Sequence, residues 1–483
     1  MTEEKKDIGI SVKKENDISE WYSQICLKGG LAEYGAVKGT MVIKPKGYYI
    51  WQVIQDYFNK NIVEKTGVKN AYFPLFIPES FFKKEASHAK GFKPEVAWID
   101  REQTGNEERI AIRPTSETII YDFFSKWIRS YKDLPLKINQ WCNIVRWETE
   151  ATKLFIRSRE FLWQEGHCVY ETKNECEKES INYIKLYEKL CREILALPVL
   201  VGKKTDKEKF AGAETTYTIE AFMPDGKALQ CGTSHILSQG FAKAFNINFI
   251  GKDEKKHMPW QNSWGLSTRL IGALAMTHSD NKGLILPPIL SENKVVIIPI
   301  LKSEKENEKI LKKAKELDLK LKPFNPILDD RMEYTPGFKY NEWELKGIPV
   351  RIEIGPKDME KNQVILVRRD TGKKYGVKIQ NIENKINTEL KEMHEDMYGK
   401  AKKFLDNSIV KVKNFNELIK EIRNKKIVLA PFCGAEECED EIKSKTQGVT
   451  TRCIPFNSNI KKESKCINCG KKAGCEVYFA RSY

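Results

Sequence analysis

The stretch RWETEATKLFIRSREFLWQEGH, Arg146 to His167, gathers three arginines, four acids, two tryptophans, two phenylalanines and a terminal histidine in one short segment. Its pattern predicts two strands joined by a polar loop, Trp141 to Trp147 on one side and Arg159 to Tyr170 on the other. Alternate side chains of a strand share a face. Phe161, Trp163, Glu165 and His167 therefore line up together, and Arg146 and Glu148 share a face of the partner strand. Such a face makes a poor dry core, because unpaired buried charges are costly. A solvated sheet surface laced with ion pairs would carry the same charges, but two aromatic rings among them favour a ligand.

A chain of 483 residues exceeds what one core organises and predicts several domains. At 41% hydrophobic and 10% aromatic it has the composition of a globular protein. Its formal charge of +15, from 82 basic and 67 acidic residues, leaves positive surface for a polyanion, although a lysine-rich proteome produces the same balance. The amino end, MTEEKKDIGISVKKENDISE, is charged throughout and lacks the apolar core of a signal peptide. No apolar run approaches the roughly 18 residues of a membrane helix. These features predict a soluble cytoplasmic protein with no membrane partner.

From Gly47 to Lys65, Trp51, Ile54, Phe58 and Ile62 recur at helical spacing, with Gly67 as the stop and AYFPLFIP as an extended segment beyond. ERIAIRP reads as a strand stopped by Pro114, and TSETIIYDFFSKWI as a helix capped by Thr115 or Ser116. After the hairpin come a helix around Asn174 to Ala196 and a strand pair in TTYTIEAFMPDGKALQ turning at Asp225-Gly226. NSWGLSTRLIGALAMTHSD then enters a helix. The first region is thus a mixed, largely antiparallel sheet with helices. Two prolines in GLILPPIL mark a boundary. Beyond it VVIIPI, a helix spaced by Ile310, Ala314 and Leu317, KYNEWELKG, VRIEIGP and QVILVRR alternate as strands and helices, which argues for a separate α/β domain.

Six of the twelve cysteines fall between Cys433 and Cys475. Cys433 and Cys438, in PFCGAEECED, and Cys466 and Cys469, in KCINCGKK, form two close pairs about 27 residues apart, which suits tetrahedral zinc. Four thiolates leave no open position, so the role is structural. Gly470 fits the turn after the second pair, and spacing alone leaves Cys453 and Cys475 as spare candidates.

Taken in order, RPTSET, NIVRWE with REFLWQEGH, QCGTSHILSQGF, NSWGLSTR, the zinc-type cysteines and the terminal FARSY resemble the prolyl-tRNA synthetases of the archaeal and eukaryotic type, a class II family, over nearly the whole chain. The resemblance implies an α+β fold. A class II catalytic domain with an antiparallel sheet and flanking helices would span residues 1–290, an α/β anticodon-binding domain 291–395, and a small α/β zinc-type C-terminal domain 396–483. The helix leading to FPLFIP resembles the first class II signature, implying a homodimer interface around Pro74; the hairpin resembles the second signature and GLSTR the third.

The implied reaction is ATP-dependent ligation of L-proline to tRNA(Pro) through a prolyl-adenylate, with ATP carried as its Mg²⁺ complex. Attack of a carboxylate on the α-phosphate needs positioning and charge neutralisation, for which arginines and Mg²⁺ are suited. By resemblance, Arg146 holds the α-phosphate and the proline carboxylate. Arg157 reaches the outer phosphates, and Arg269 lies over the adenine near the γ-phosphate. Phe161 stacks on the other adenine face, and Glu148 accepts from the exocyclic amine. Gln230 and Thr233 touch the nucleotide and ribose, with Ser267 assisting. Thr115 and Glu117 take the charged secondary amine of proline, to which a hydroxyl and a carboxylate are complementary, while Trp163, Glu165, His167 and His235 wall the ring. Glu344, Arg351, Lys357 and Asp358 match positions that approach the anticodon. Tyr483 matches a chain end that folds back toward the catalytic domain. Only about a hundred residues separate Phe161 from Trp264, so no editing domain is expected between the signatures.

Overall fold

The computed structural model describes residues 9–86, 96–99, 108–148, 151–301, 304–458 and 460–483. The charged amino end, residues 1–8, and Thr149 and Glu150 of the hairpin loop lie outside this set. Helix α1 (Ile18–Lys28) starts at Asp17, whose carboxylate accepts from the amides of Ser19 and Glu20. Helix α2 (Pro45–Phe58) buries Ile50, Trp51, Ile54 and Phe58. It continues through a π-helical turn at Asn59–Val63 that brings Ile62 and Val63 inside together, and the helical run ends at Gly67 with φ 73°.

Helix α3 (Glu117–Trp127) follows the short strand Ile110–Ile112. Strands β1 (Leu136–Val145) and β2 (Glu160–Tyr170) pair antiparallel along their whole length, with Gln140 opposite Glu165 and Cys142 opposite Trp163. The first strand starts earlier than the sequence pattern suggests and stops at Val145. Arg146 and Glu148 consequently lie past the ladder, where the Glu148 amide turns back onto the Arg146 carbonyl at 2.7 Å, and do not share a strand face. Helix α4 (Lys173–Glu193) crosses beneath. Next come β3 (Leu200–Lys203), β4 (Thr215–Phe222), β5 (Lys227–Ser238) and β6 (Trp260–Ser267), and α5 (Arg269–His278) closes the region. The pairings β3–β4, β4–β5, β5–β6 and β6–β2 are all antiparallel.

One face of this sheet is sealed by aromatic packing. Trp264 stacks on Tyr183 of α4 with ring centroids 4.0 Å apart and packs near-parallel to Phe58 at 6.0 Å. Gly166, between Glu165 and His167, lies against that indole, and a Cβ there would sit 2.1 Å from it. Glycine at 166 thus lets Trp264 close the core on one face while its two neighbours point to the other.

Past Pro288, β7 (Val295–Pro299), α6 (Glu304–Lys320), α7 (Pro336–Lys346), β8 (Val350–Ile354), β9 (Gln363–Arg368) and β10 (Lys374–Lys378) follow. They build a separate five-stranded sheet in which β7 and β8 are parallel and β8, β9 and β10 antiparallel. Ile310, Ala314 and Leu317 of α6 are buried against it. The long helix α8 (Ile382–Ser408) leads to β11 (Ile427–Phe432), α9 (Glu436–Thr446) and β12 (Cys475–Ser482). These last strands do not form an independent sheet. The end of β12 joins β5 in parallel, Lys227 beside Arg481 and Ala228 beside Ser482, so one twelve-stranded sheet runs from the hairpin into the C-terminal region.

Candidate active site

The face of β2 that carries Phe161, Trp163, Glu165 and His167 opens into a cavity of about 540 Å³, within the range of small-molecule sites. The loop before α3 is tied onto the hairpin by the fully buried Arg113, whose guanidinium donates to the Phe73 carbonyl at 2.8 Å and to the Asn143 carbonyl at 3.0 Å. That tie presents Thr115 and Glu117 to the cavity, the Thr115 hydroxyl donating to the Glu117 carboxylate. Ser116 occupies the cap position of α3, yet its hydroxyl makes no cap; it donates instead to Oε1 of Glu165 at 2.5 Å.

Both oxygens of Glu165 are engaged. Oε1 also accepts from Gln140 Nε2 at 2.8 Å, and Oε2 lies 3.0 Å from His167 Nε2. The far ring nitrogen of His167 sits 3.1 Å from the Tyr121 hydroxyl. Burial alone would raise the Glu165 carboxyl, but its bonds to His167, Ser116 and Gln140 hold it below the ordinary carboxylate value. The result is a rigid anion in the cavity wall, on the same strand face as Trp163. Across the cavity, His235 Nδ1 lies 2.9 Å from the Thr216 hydroxyl, and its ring packs against Phe210 at 4.7 Å. Burial, reinforced by the neighbouring His167, pushes the His235 imidazole down to about 3, so it is neutral at physiological pH.

The other end is cationic. Arg146 donates through Nε to the Pro114 carbonyl at 3.1 Å, with its guanidinium carbon 5.6 Å from both the Phe161 and Trp163 rings. Arg269, first residue of α5, donates to the Ile156 carbonyl at 3.0 Å and the Gln230 carbonyl at 3.2 Å. Burial and then the positive charge of Arg146 lower the Arg269 guanidinium's proton affinity. Two desolvated cations in one cavity, one of them at a helix N-terminus, make a receptor for an anion.

Of the fourteen residues assigned to ATP and proline, thirteen line this cavity, including Glu148, Gln230, Thr233 and Ser267. Arg157 is the exception, its Nε lying 3.8 Å from the Glu148 carboxylate on the hairpin loop. Sequence reasoning missed Gln140 and Ser116, which orient Glu165, and Glu208, Phe210 and Ala211, which wall the cavity from the β3–β4 loop. The signal for Gln140 was a lone amide on the face of β1 that otherwise carries Ile138, Cys142 and Ile144; the loop residues carried none.

In the five-stranded region Arg351 is buried between Glu344 and Glu353, at 2.9 Å from each, and lies 4.2 Å from the Tyr340 ring. Asp358 accepts from the Gly355 amide at 3.0 Å, and Lys357 is exposed. Glu344 and Arg351 are thus joined to each other, whereas Asp358 serves a local turn.

The sulfurs of Cys433, Cys438, Cys466 and Cys469 all lie within 4.8 Å of one another, with 3.7 Å between Cys438 and Cys466. A tetrahedron with Zn–S of about 2.3 Å has edges of about 3.8 Å, so the thiols fit such an ion. Gly434 (φ 90°) and Gly470 (φ 70°) turn the two loops that carry them. Asn468 Nδ2 donates to Cys438 Sγ at 3.3 Å. Of the spare candidates, Cys453 and Cys475 stand outside the four-sulfur group.

Three family models match along the chain: the tRNA synthetase class II core domain (G, H, P, S and T) over residues 98–278, the anticodon binding domain over 294–389, and the prolyl-tRNA synthetase C-terminal domain over 415–483. With the antiparallel sheet and its arginine-lined cavity, these matches define a class II aminoacyl-tRNA synthetase. The chain is 47% identical to proline–tRNA ligase 2 of Clostridioides difficile, covering 99% of both, and 48% identical to proline–tRNA ligase of Alkaliphilus oremlandii, again over 99% of each. It superimposes with a TM-score of 0.92 on the crystal structure of prolyl-tRNA synthetase from Cryptosporidium parvum complexed with halofuginone and AMPPNP, at 41% identity, covering 99% of this chain and 97% of that one. The chain belongs to the prolyl-tRNA synthetase family.

Proposed function

We infer that this chain ligates L-proline to tRNA(Pro) in an ATP-dependent reaction that passes through a prolyl-adenylate and releases AMP and diphosphate. The carrying observation is the single cavity in which Arg146 and Arg269 stand at one end and Thr115, Glu117, Glu165 and His167 at the other. Arg146 occupies the junction, where it would neutralise both the proline carboxylate and the α-phosphate as they approach, so its electrostatic contribution is greatest in the transition state. The Thr115–Glu117 pair supplies an acceptor and an anion for the charged secondary amine. Trp163, with Glu165 and His167 held in place on the same strand face and neutral His235 also lining the cavity, confines the ring. Phe161 and Arg269 would sandwich the adenine, with Glu148, Gln230, Thr233 and Ser267 along the nucleotide and Arg157 at the outer phosphates. Mg²⁺ bound with ATP would supply further charge neutralisation at the phosphates.

Around this centre we assign residues 1–290 to catalysis, 291–395 to anticodon binding through Glu344, Arg351, Lys357 and Asp358, and 396–483 to a C-terminal unit whose four cysteines hold structural zinc. Exposed Tyr72, Pro74 and Phe76 provide an apolar surface for a homodimer interface. Among the described residues no helix is long and apolar enough to cross a membrane, in keeping with action in the cytoplasm. The test is proline-dependent exchange of pyrophosphate into ATP across a panel of amino acids; exchange with another amino acid and none with proline would overturn the assignment.

A further inference from the structure

The β3–β4 loop, residues 204–214, reaches the cavity with Glu208, Phe210 and Ala211, but its base is held by the C-terminal unit. The Thr205 hydroxyl donates to Oε2 of Glu439 at 3.0 Å, across 234 positions of sequence. The other oxygen of Glu439 accepts from the Thr451 hydroxyl at 2.5 Å. All three side chains are buried. Beside them Lys204 donates to Glu220 Oε1 at 2.6 Å while Arg452 takes Oε2 at 2.8 Å, and Lys207 pairs with Asp440. Glu439 and Asp440 lie on α9, next to Cys438.

From that anchor the loop runs directly into the site. The Thr205 carbonyl accepts from the amides of Glu208 and Lys209 at 3.2 and 3.0 Å, closing the turn before Phe210. The Phe210 amide then donates to the Thr216 hydroxyl at 3.0 Å, the same hydroxyl that meets His235. A displacement at Thr205 is thereby carried to the Phe210 ring and to His235, which face the end of the cavity assigned to proline. The nucleotide end is built on other elements: the β1–β2 hairpin, β5 and the start of α5.

We propose that Glu439 is a positioning residue for the proline pocket, acting through Thr205 so that this one contact of the C-terminal unit sets the affinity for proline and leaves that for ATP unchanged. This rests on the proline-activating reading above. A buried hydrogen bond to a carboxylate is strong enough to fix the place of Thr205 among the ion pairs that also hold the base of the loop.

The experiment is pyrophosphate exchange with the full-length protein carrying Thr205→Val, which deletes the hydroxyl at nearly constant volume, beside Thr205→Ser, which keeps it. Thr205→Val is expected to raise the KM for proline about fivefold to tenfold, with the KM for ATP within about twofold, bound metal unchanged and the enzyme still folded at the assay temperature. Thr205→Ser is expected to restore the proline KM. A folded Thr205→Val enzyme with its proline KM unmoved overturns the proposal, as does an equal rise for both substrates or a serine variant as impaired as valine. Should Thr205→Val not fold, Glu439→Gln, which keeps the side-chain shape while replacing one of its two accepting oxygens, decides by the same criteria. Absence of proline-dependent exchange in the parent protein would instead strike the functional assignment itself.

Discussion

Tyr483, the last residue, donates its hydroxyl to Oδ2 of Asp225 at 2.5 Å, in the turn between β4 and β5. Its ring lies 5.0 Å from the Lys227 ammonium and 5.7 Å from that of Lys153. Lys153 sits on the same short loop as Ile156, whose carbonyl anchors Arg269. Removing Tyr483, or extending the chain with a C-terminal tag, is expected to lower aminoacylation and raise the KM for ATP about fivefold to tenfold. An untouched ATP KM in the truncated enzyme would separate the chain end from the nucleotide site.

Arg146 and Trp163 should part company in kinetics. Arg146→Ala removes the cation that the proposed mechanism sets at the junction of the two substrates and is expected to cut kcat/KM for exchange on the order of a hundredfold to a thousandfold. Trp163→Ala opens the end of the cavity assigned to proline and should act chiefly on the KM for proline. Steady-state exchange with each substrate varied in turn distinguishes the two patterns.

The four-cysteine group predicts about one zinc per chain, measured by elemental mass spectrometry. Cys466→Ser with Cys469→Ser should abolish it and lower the unfolding temperature, because thiolate–metal bonds stabilise the folded state alone. Metal-free protein that melts at the same temperature as the parent would rule out a structural role.

Burial lowers His278 to about 4 even though its Nε2–H donates to the Leu195 carbonyl at 2.9 Å, and it lowers His235 to about 3. Below about pH 6.5 the unfolded chain takes up these protons while the folded chain does not. Their contribution to stability is therefore complete above that pH and declines as pH falls toward the folded values, by at most about 1.4 kcal/mol per pH unit per histidine. Urea midpoints should drop between pH 7 and pH 5, and His278→Gln should flatten that slope. Glu220 and Asp329, both held at about 2 despite burial, by Lys204 and Arg452 for Glu220 and by Arg331, Trp343 and Lys339 for Asp329, add their losses only below about pH 4.5.

Much of the catalytic region was legible because its signals are local. Period-two alternation placed Phe161, Trp163, Glu165 and His167 on one face, and the Asp225-Gly226 turn, with Gly226 at φ 86°, joined the strands on either side. Of Thr115 and Ser116, Ser116 stands at the cap position of α3, but its hydroxyl serves the buried Glu165 carboxylate instead of the helix amides. That partner is 49 residues distant and invisible to a local rule.

The sequence by itself determined the face of β2, the hairpin, the two close cysteine pairs and the order of motifs, since each depends on residues close to one another along the chain. Only the tertiary structure decided that β12 continues the catalytic sheet, that Cys453 and Cys475 stand apart from the thiol group, and that Glu439 grips Thr205 beside the pocket. Such contacts depend on which sheet edges and buried acceptors remain free once the local elements have formed. A lone threonine and a lone glutamate 234 positions apart carry no pattern that announces their meeting.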